Sequence, residues 1–176
     1  AVLLLEEEEH ARRRQATILG EVVGYGATCD AGHITSPDFQ GGARAMEIAI
    51  KQSGVPVAEI GYINAHATGT KEGDRSEAAA IRSVFGDSLK TLKVSATKSM
   101  TGHLFGAAGG IEAIITIEAL RHGILPPTVN LDSPDEECDI PHICNRAVQT
   151  STCYALSNSF GFGGHNASLV FRKYEE

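Results

Sequence analysis

Two histidines and a lysine are the residues whose types and spacing suggest chemistry in this sequence. Lys98 and His103 stand five residues apart in S-A-T-K-S-M-T-G-H, a turn rich in Ser, Thr and Gly. A short apolar run precedes the turn and a helix pattern of Ala, Gly and Ile follows it. Both side chains are therefore predicted on a loop between buried elements, where catalytic groups commonly sit. By itself, the stretch is equally consistent with a solvated turn that holds two incidental polar residues.

His66 lies in a second segment with the same plan. An apolar strand is predicted over residues 60–65, the polar stretch N-A-H-A-T-G-T begins at its end, and a helix over about 74–85 is ended by Gly86. Loops at the carboxyl ends of strands in an α/β sheet commonly face one crevice. Each histidine alone is more simply a core or capping residue. Both of them together with Lys98 predict a shared site.

Glu112 is an acid on a helix that carries little other charge. The helix predicted over residues 107–121 is apolar along most of its length, and Gly109 and Gly110 allow close backbone approach. A buried carboxylate is costly unless it is paired. Glu112 is therefore predicted to pair with a cation such as Lys98.

A glycine-rich loop is predicted over residues 159–166, between strands at 154–158 and 167–174. Its glycines allow positive φ and free backbone N–H groups to face a ligand; they are Gly161, Gly163 and Gly164. A phosphate cradle is excluded because a strand pattern, not a helix, follows the loop. A backbone oxyanion donor flanked by Phe160 and Phe162 is the better interpretation.

The amino-terminal residues predict three further elements. Residues 1–5 are a continuous apolar run, typical of a strand buried on both faces, and its start at the first residue suggests a chain entered in mid-fold. Residues 6–14 place acids before bases, with acid–base pairs four residues apart, which predicts a short exposed helix. Residues 16–25 alternate as a strand, with Gly24 and Gly26 expected where it bends or ends.

A polar loop and a helix complete the elements before His66. Residues 28–37 are rich in turn formers, so Asp30 and His33 are interpreted as structural residues of that loop. Residues 42–53 place their apolar side chains on one face and are followed by Gly54, which predicts an amphipathic packing helix.

Composition narrows the class of protein. The chain has 176 residues, of which 42% are hydrophobic, enough for one domain with its own core. The formal net charge of -7 and the lack of a basic cluster beyond Arg12 to Arg14 argue against nucleic-acid binding. Four cysteines without zinc-type spacing, and the lack of a signal peptide or long apolar span, predict a soluble chain in a reducing compartment.

Three motifs occur in order: N-A-H-A-T-G-T, S-A-T-K-S-M-T-G-H-L-F-G-A-A-G and N-S-F-G-F-G-G-H-N. In this order and at these separations they resemble the carboxyl-terminal half of a β-ketoacyl-[acyl carrier protein] synthase, the elongating condensing enzyme of fatty-acid synthesis. The similarity covers residues 1–173. The wording S-M-T-G-H is closer to discrete type II enzymes of the KAS II kind, from bacteria or organelles, than to modular polyketide synthases, which tend to carry S-N-I-G-H.

The resemblance implies an α/β fold of thiolase type. Residues 1–176 would form one carboxyl-terminal domain, half of a five-layered αβαβα structure with a mixed sheet and covering helices. His66 and His103 would then meet a nucleophilic cysteine from the other half. Loss of CO₂ from a malonyl thioester places negative charge on the thioester oxygen, and two imidazole N–H groups can stabilise that enolate.

The resemblance also implies supporting roles. Lys98 would hold the local field and pair with an acid, either Glu112 or Asp74. Phe162 would gate the acyl pocket, and its backbone N–H would contribute to an oxyanion hole. Two threonines would lie near the pantetheine arm of the substrate: Thr68 and Thr70.

The family's nucleophilic cysteine has no counterpart in this sequence. All four cysteines fall outside the motifs and are interpreted as structural or incidental thiols: Cys29, Cys138, Cys144 and Cys153. The chain alone is therefore not expected to condense acyl groups. The expected partners are the amino-terminal half of the enzyme, acyl carrier protein and a second copy of the complete enzyme. The expected location is the cytoplasm or an organelle matrix, with no metal and no cofactor beyond carrier-bound phosphopantetheine.

Other functions within and beyond this family remain as alternatives. A thiolase shares the fold, but thiolases do not rely on this set of two histidines and one lysine. A non-catalytic partner of the chain-length-factor kind tends to lose active residues, whereas His66, Lys98 and His103 are all present. A fragment of a polyketide ketosynthase is the third alternative.

Overall fold

The computed structural model describes residues 1–33 and 35–175. Its main sheet has five strands in the order β1-β7-β6-β2-β3, and β4 and β5 form a separate pair. The strands are β1 Glu21–Cys29, β2 Ile60–Asn64, β3 Lys93–Ser95, β4 Ile124–Leu125, β5 Val148–Gln149, β6 Tyr154–Gly161 and β7 His165–Arg172. The α-helices are α1 Glu8–Arg13, α2 Phe39–Ser53, α3 Lys71–Phe85, α4 Lys98–Thr101 and α5 Ala108–His122.

The main sheet is mixed and buried on both faces. Strand β2 is parallel to β3 and β6, whereas β7 is antiparallel to β6 and β1. Because successive side chains of a strand point to opposite faces, Ile63 packs with α2 and α3, and Tyr62 packs with α5. The described residues therefore form three layers: helices α2 and α3 on one face, the sheet in the middle, and helix α5 on the other face.

Strand β1 differs from the predicted strand at residues 16–25. It starts at Glu21 and runs through both glycines to Cys29, with a register shift between Val22 and Gly24. A Cβ atom at Gly24 or Gly26 would overlap backbone atoms of α2. The two glycines therefore mark where a helix lies directly on the strand, which alternation in the sequence does not reveal.

The predicted strand at residues 1–5 is wrong. These residues have no regular structure, and Val2, Leu4 and Leu5 are 93%, 80% and 74% exposed. The short helix that follows is confirmed as α1, where Arg12 donates to Glu8 at 2.9 Å. An apolar run thus forms no strand here because nothing in the described structure pairs with its backbone.

Helix α2 confirms the predicted packing helix and begins three residues before the predicted start. The Asp38 carboxylate accepts the Gln40 N–H at 3.0 Å, and Gly54 ends the helix in the left-handed conformation with φ 69°. The predicted eight-residue glycine loop is shorter in the structure. Pairing of β6 with β7 extends to Gly161 and His165, which leaves residues 162–164 as the turn of a hairpin.

Candidate active site

His66 and His103 lie side by side at the carboxyl edge of the sheet. His66 follows β2, and His103 follows β3 and the one-turn helix α4. Because β2 and β3 are parallel neighbours, both connections leave the same edge. The ring centroids are 5.5 Å apart with an interplanar angle of 86°. The predicted convergence of the two histidines is confirmed.

Lys98 forms a buried ion pair with Glu112, as predicted. The two side chains are 5% and 2% exposed, and the ammonium donates to Glu112 Oε1. Lys98 was predicted to lie in a loop, but in the structure it is the first residue of helix α4. Asp74, the other acid considered for this role, accepts the Gly69 N–H at 3.2 Å instead.

Burial leaves Glu112 and Asp74 with perturbed titrations. Burial raises the pKa of Glu112, while the hydrogen bond and charge of Lys98 oppose that rise. The second carboxylate oxygen, Glu112 Oε2, is buried without a hydrogen-bond partner among the described residues. Burial also raises the pKa of Asp74, against hydrogen bonds from the Gly69 and Thr68 backbone.

Glu77 is a site residue that the sequence interpretation missed. Its buried carboxylate accepts the His66 N–H at 3.0 Å, the Ala67 N–H at 2.8 Å and the Asn158 amide at 3.0 Å. Ala67 has φ 25°, which is strained for a residue with a side chain. Glu77 thus holds the loop of His66 in place. Its signal in the sequence was an acid on the apolar face of α3, four residues before Ile81.

Buried amides and hydroxyls connect the two loops to the sheet. Thr97 donates to Asn64 Oδ1 at 3.1 Å, and the Asn64 amide donates to the Glu112 carbonyl at 3.3 Å. Ser168 donates to Asn158 Oδ1 at 2.7 Å, so the amide that binds Glu77 is itself fixed. Satisfied buried networks of this kind rigidify a site.

His66 is held neutral. Burial, the charge of Lys98 and the neighbouring His103 together lower the pKa of His66 to about 3. Its Nδ1 atom is buried and has no hydrogen-bond partner among the described residues. At neutral pH the ring is therefore an uncharged donor and acceptor.

The hairpin places one of its two phenylalanines beside the histidines. The Phe160 ring on β6 lies 6.1 Å from that of His66. Phe162, at the hairpin turn, is 77% exposed, and no aromatic contact joins it to either histidine in the described part of the chain. Gly163 and Gly164 have φ 80° and 77°, as the predicted sharp turn requires. The gating role of Phe162 and the donor role of Gly161 to Gly164 stay predictions.

Asp30 and His33 fit their structural interpretation. The Asp30 N–H donates to the Gly164 carbonyl at 2.9 Å, and its carboxylate accepts the Asn166 amide at 2.6 Å. Asp30 therefore ties its loop to the base of the hairpin. His33 Nδ1 accepts the Thr35 N–H at 3.2 Å, and both residues are exposed.

A cleft of about 510 Å³ opens beside His103, and Ala65 and Ala67, the two neighbours of His66 in sequence, also line it. Thr68, Asp74, Lys98 and His103 line one side, and the segment 128–142 lines much of the rest. The hydroxyls of Thr68 and Thr70 are 3.2 Å apart just before α3. Of the predicted supporting residues, Thr68 and Asp74 line this opening, whereas Thr70 and Glu112 do not. The substrate contacts of all four stay predictions.

The four cysteines are free thiols, and among the described residues no hydrogen bond joins any of them to His66 or His103. Cys138 lines the cleft, but burial raises the pKa of its thiol, which is unfavourable for a nucleophile. Within residues 1–33 and 35–175, no group of three or more His, Cys, Asp and Glu side chains is arranged to bind a metal. In the same ranges, no helix combines the length and apolarity needed to span a membrane.

Comparison with known proteins gives a family and several relatives. Residues 19–132 match the family model described as "Beta-ketoacyl synthase, C-terminal domain". The chain is 49% identical over 176 residues to 3-oxoacyl-[acyl-carrier-protein] synthase 2 of Staphylococcus aureus and, over the same length, to its namesake from Synechocystis sp.. Each alignment covers 99% of this chain and 42% of the relative. The chain therefore spans about two fifths of the length of these curated relatives.

Solved structures give the same fold. A beta-ketoacyl synthase from Burkholderia phymatum has a TM-score of 0.92 at 40% identity, covering 97% of this chain and 41% of that one. The ishigamide ketosynthase/chain length factor has a TM-score of 0.92 at 42% identity, covering 96% and 41%. A type II polyketide ketosynthase in complex with its acyl-carrier protein has a TM-score of 0.92 at 33% identity, covering 96% and 42%. The predicted α/β, thiolase-like half is confirmed.

Proposed function

This chain belongs to the beta-ketoacyl synthase family, and we propose that it is the carboxyl-terminal part of a 3-oxoacyl-[acyl carrier protein] synthase of fatty-acid elongation. The complete enzyme would be an acyltransferase that joins an acyl group on a cysteine to the two-carbon unit of malonyl-[acyl carrier protein]. The edge-to-face pair of His66 and His103 carries this proposal. The relatives named for the same reaction support it.

The two histidines would stabilise the enolate. When the malonyl carboxylate leaves as CO₂, the C–C bond electrons move to the thioester oxygen. That oxygen then needs hydrogen-bond donors that are already in place. The low pKa of His66, about 3, keeps its ring neutral, and a proton on Nε2 would leave only a lone pair at the unpartnered Nδ1. His66 would therefore act as a donor and not as a general base.

Condensation would follow from the same arrangement. The enolate carbon attacks the carbonyl of the acyl–cysteine thioester, and the cysteine leaves as a thiolate once the new C–C bond has formed. This attack places negative charge on the carbonyl oxygen of the acyl–cysteine thioester. Backbone N–H groups of residues 161–164, including that of Phe162, would donate to this second oxyanion. Lys98, ion-paired with Glu112, would fix α4 and so the position of His103.

The partners follow from what these steps require. The nucleophilic cysteine would come from an amino-terminal half, and the complete enzyme would be a cytoplasmic homodimer. Acyl carrier protein would deliver the substrates on phosphopantetheine, whose arm would pass Thr68 and Thr70. The carrier protein bound to the related polyketide ketosynthase supports this partner. No metal or other cofactor takes part in these steps.

Substitution of the histidines tests the proposal. With the Cys-bearing half supplied, CO₂ release from malonyl-[acyl carrier protein] is measured for His66→Ala and His103→Ala. Loss of one enolate donor is expected to lower kcat by about 10²-fold or more. His122→Ala, at the exposed end of α5, is the matched control and should retain activity. Full activity in both site variants would remove the catalytic assignment and favour a chain-length-factor-like partner.

A further inference from the structure

An exposed aromatic ring lies against the ring of His103. The centroid of the Phe105 ring lies 4.9 Å from that of the His103 ring, with an interplanar angle of 30°. His103 thus has two ring neighbours: the His66 ring is nearly perpendicular to it, and the Phe105 ring is tilted by 30° from it. Phe105 is 79% exposed, so its ring is not held there by burial in a core.

The backbone at Phe105 has a conformation that bulky residues rarely adopt. Its φ is 49°, in the left-handed region where the Cβ atom is crowded. Because the ring is exposed within this chain, packing of the described residues gives little hydrophobic compensation for this crowding. A strained, exposed residue beside a reacting group is an outlier from which a functional role can be inferred.

The imidazole of His103 has little else to orient it. His66 has its loop fixed by Glu77, and Lys98 has its ion pair with Glu112. The described part of the chain supplies no hydrogen bond to either ring nitrogen of His103, and the residue is exposed. A second hydrogen-bonded group usually fixes a catalytic histidine. At His103, the ring contacts take that place.

We propose that Phe105 is a positioning residue for His103, whose ring restricts rotation of the imidazole so that its N–H stays directed at the enolate oxygen. The inference rests on the proposed function of His103 in malonyl decarboxylation. Phe105 acts on the orientation of His103 and not on the binding of substrate. Its loss therefore lowers kcat and leaves KM nearly unchanged.

The test measures CO₂ release from malonyl-[acyl carrier protein] by this chain together with its Cys-bearing half. Because small misplacements of a catalytic group have large effects, Phe105→Ala is expected to lower kcat by about tenfold, with KM changed less than about twofold. Phe105→Tyr keeps the ring and should stay within about twofold of the native enzyme. Phe105→Leu keeps apolar bulk without a ring and should fall with Phe105→Ala.

Phe105 is the first residue of a short 3-10 helix, Phe105–Ala107. Phe39→Ala is the matched control, since Phe39 is a partly exposed phenylalanine at the first position of α2. Native kcat in this control, with reduced kcat in Phe105→Ala, supports the inference. An unchanged kcat in Phe105→Ala, a change in KM alone, or equal losses in the alanine and tyrosine variants overturns it. Where Phe105→Ala does not fold, Phe105→Leu carries the same comparison.

A second measurement does not depend on catalysis. Nuclear Overhauser contacts between the ring protons of Phe105 and His103 are expected in the 176-residue chain, and their absence would also overturn the inference. His103→Ala separates this inference from the proposed function. If His103→Ala is inactive while Phe105→Ala has native kcat, only the positioning role fails. If His103→Ala itself retains native kcat, the proposed function fails first.

Discussion

At the scale of single residues, the charge state of His66 decides what the site can do. Protonation of the imidazole would place a positive charge in a buried position and near the charge of Lys98. Both effects are unfavourable and lower the pKa of His66. A neutral ring keeps one N–H for a developing oxyanion at neutral pH. Glu77 contributes by a different route, because it binds backbone N–H groups of the loop and leaves the ring free.

The low pKa of His66 predicts a pH-dependent contribution to stability. The pKa is about 3 in the folded chain against 6.5 for an unperturbed histidine, so the unfolded state binds more protons between these values. The contribution is complete above about pH 6.5 and is lost as pH falls toward 3, by at most about 1.4 kcal/mol per pH unit. Urea unfolding of the native chain and His66→Asn at pH 7, 6 and 5 measures it. As pH falls, the free energy of unfolding of the native chain should decrease more than that of His66→Asn. A difference between the two that does not change with pH would contradict the prediction.

The ion pair of Lys98 and Glu112 predicts an asymmetric response to substitution. Lys98→Met leaves a buried carboxylate without its cation and should lower the free energy of unfolding by about 3–5 kcal/mol. The double variant Lys98→Met/Glu112→Leu removes both charges and should recover part of that loss. Urea unfolding checks both. Lys90→Met is the control, since Lys90 and its partner Asp87 are fully solvated, and it should change stability by less than about 0.5 kcal/mol. Equal losses in the single and double variants would contradict the expectation.

At the scale of elements, two parallel strands explain why distant residues meet. Strands β2 and β3 end at the same edge, and each is followed by a polar turn and a helix. The short helix α4 turns Lys98 inward to α5 and leaves His103 at the surface of the site. The single turn of α4 thus separates Lys98, whose charge is paired within the structure, from His103, the proposed enolate donor.

The packing of α2 on β1 predicts a strict requirement for glycine. Gly26→Ala would place a Cβ atom on the backbone carbonyl of Ala45, so helix and strand must separate. The free energy of unfolding should fall by about 2 kcal/mol or more. Gly32→Ala is the control because its Cβ would meet only ordinary contact, and thermal unfolding compares the two. Similar stabilities of the two variants would show that α2 can move without loss.

At the scale of the whole molecule, exposed apolar residues near the amino end fit the proposed association with a Cys-bearing half. Leu4 and Leu5 are 80% and 74% exposed, and apolar surface of this kind often marks an interface. Leu4→Asp/Leu5→Asp should leave the unfolding free energy of this chain within about 0.5 kcal/mol. The same variant should weaken binding of the Cys-bearing half about tenfold or more. Titration calorimetry measures that affinity, and native affinity would contradict the prediction.

Much of the site could be predicted from local pattern. Polar turns after apolar strands indicated His66, Lys98 and His103 as site residues. An acid within a mostly apolar helix indicated Glu112 and its pairing with Lys98. Three motifs in order were enough to indicate the family, because their residue types and spacing are specific. These features depend on neighbours in sequence, which the chain itself displays.

Tertiary structure decided the remainder, because it depends on groups that are distant in sequence. Glu77 became a site residue only when α3 packed beside the loop of His66, and Gly24 and Gly26 became contact points only when α2 lay on β1. The strand predicted at residues 1–5 did not form, since an apolar run becomes a strand only when another strand pairs with it. The ring contact of Phe105 with His103 likewise required a backbone conformation that residue type alone would have argued against.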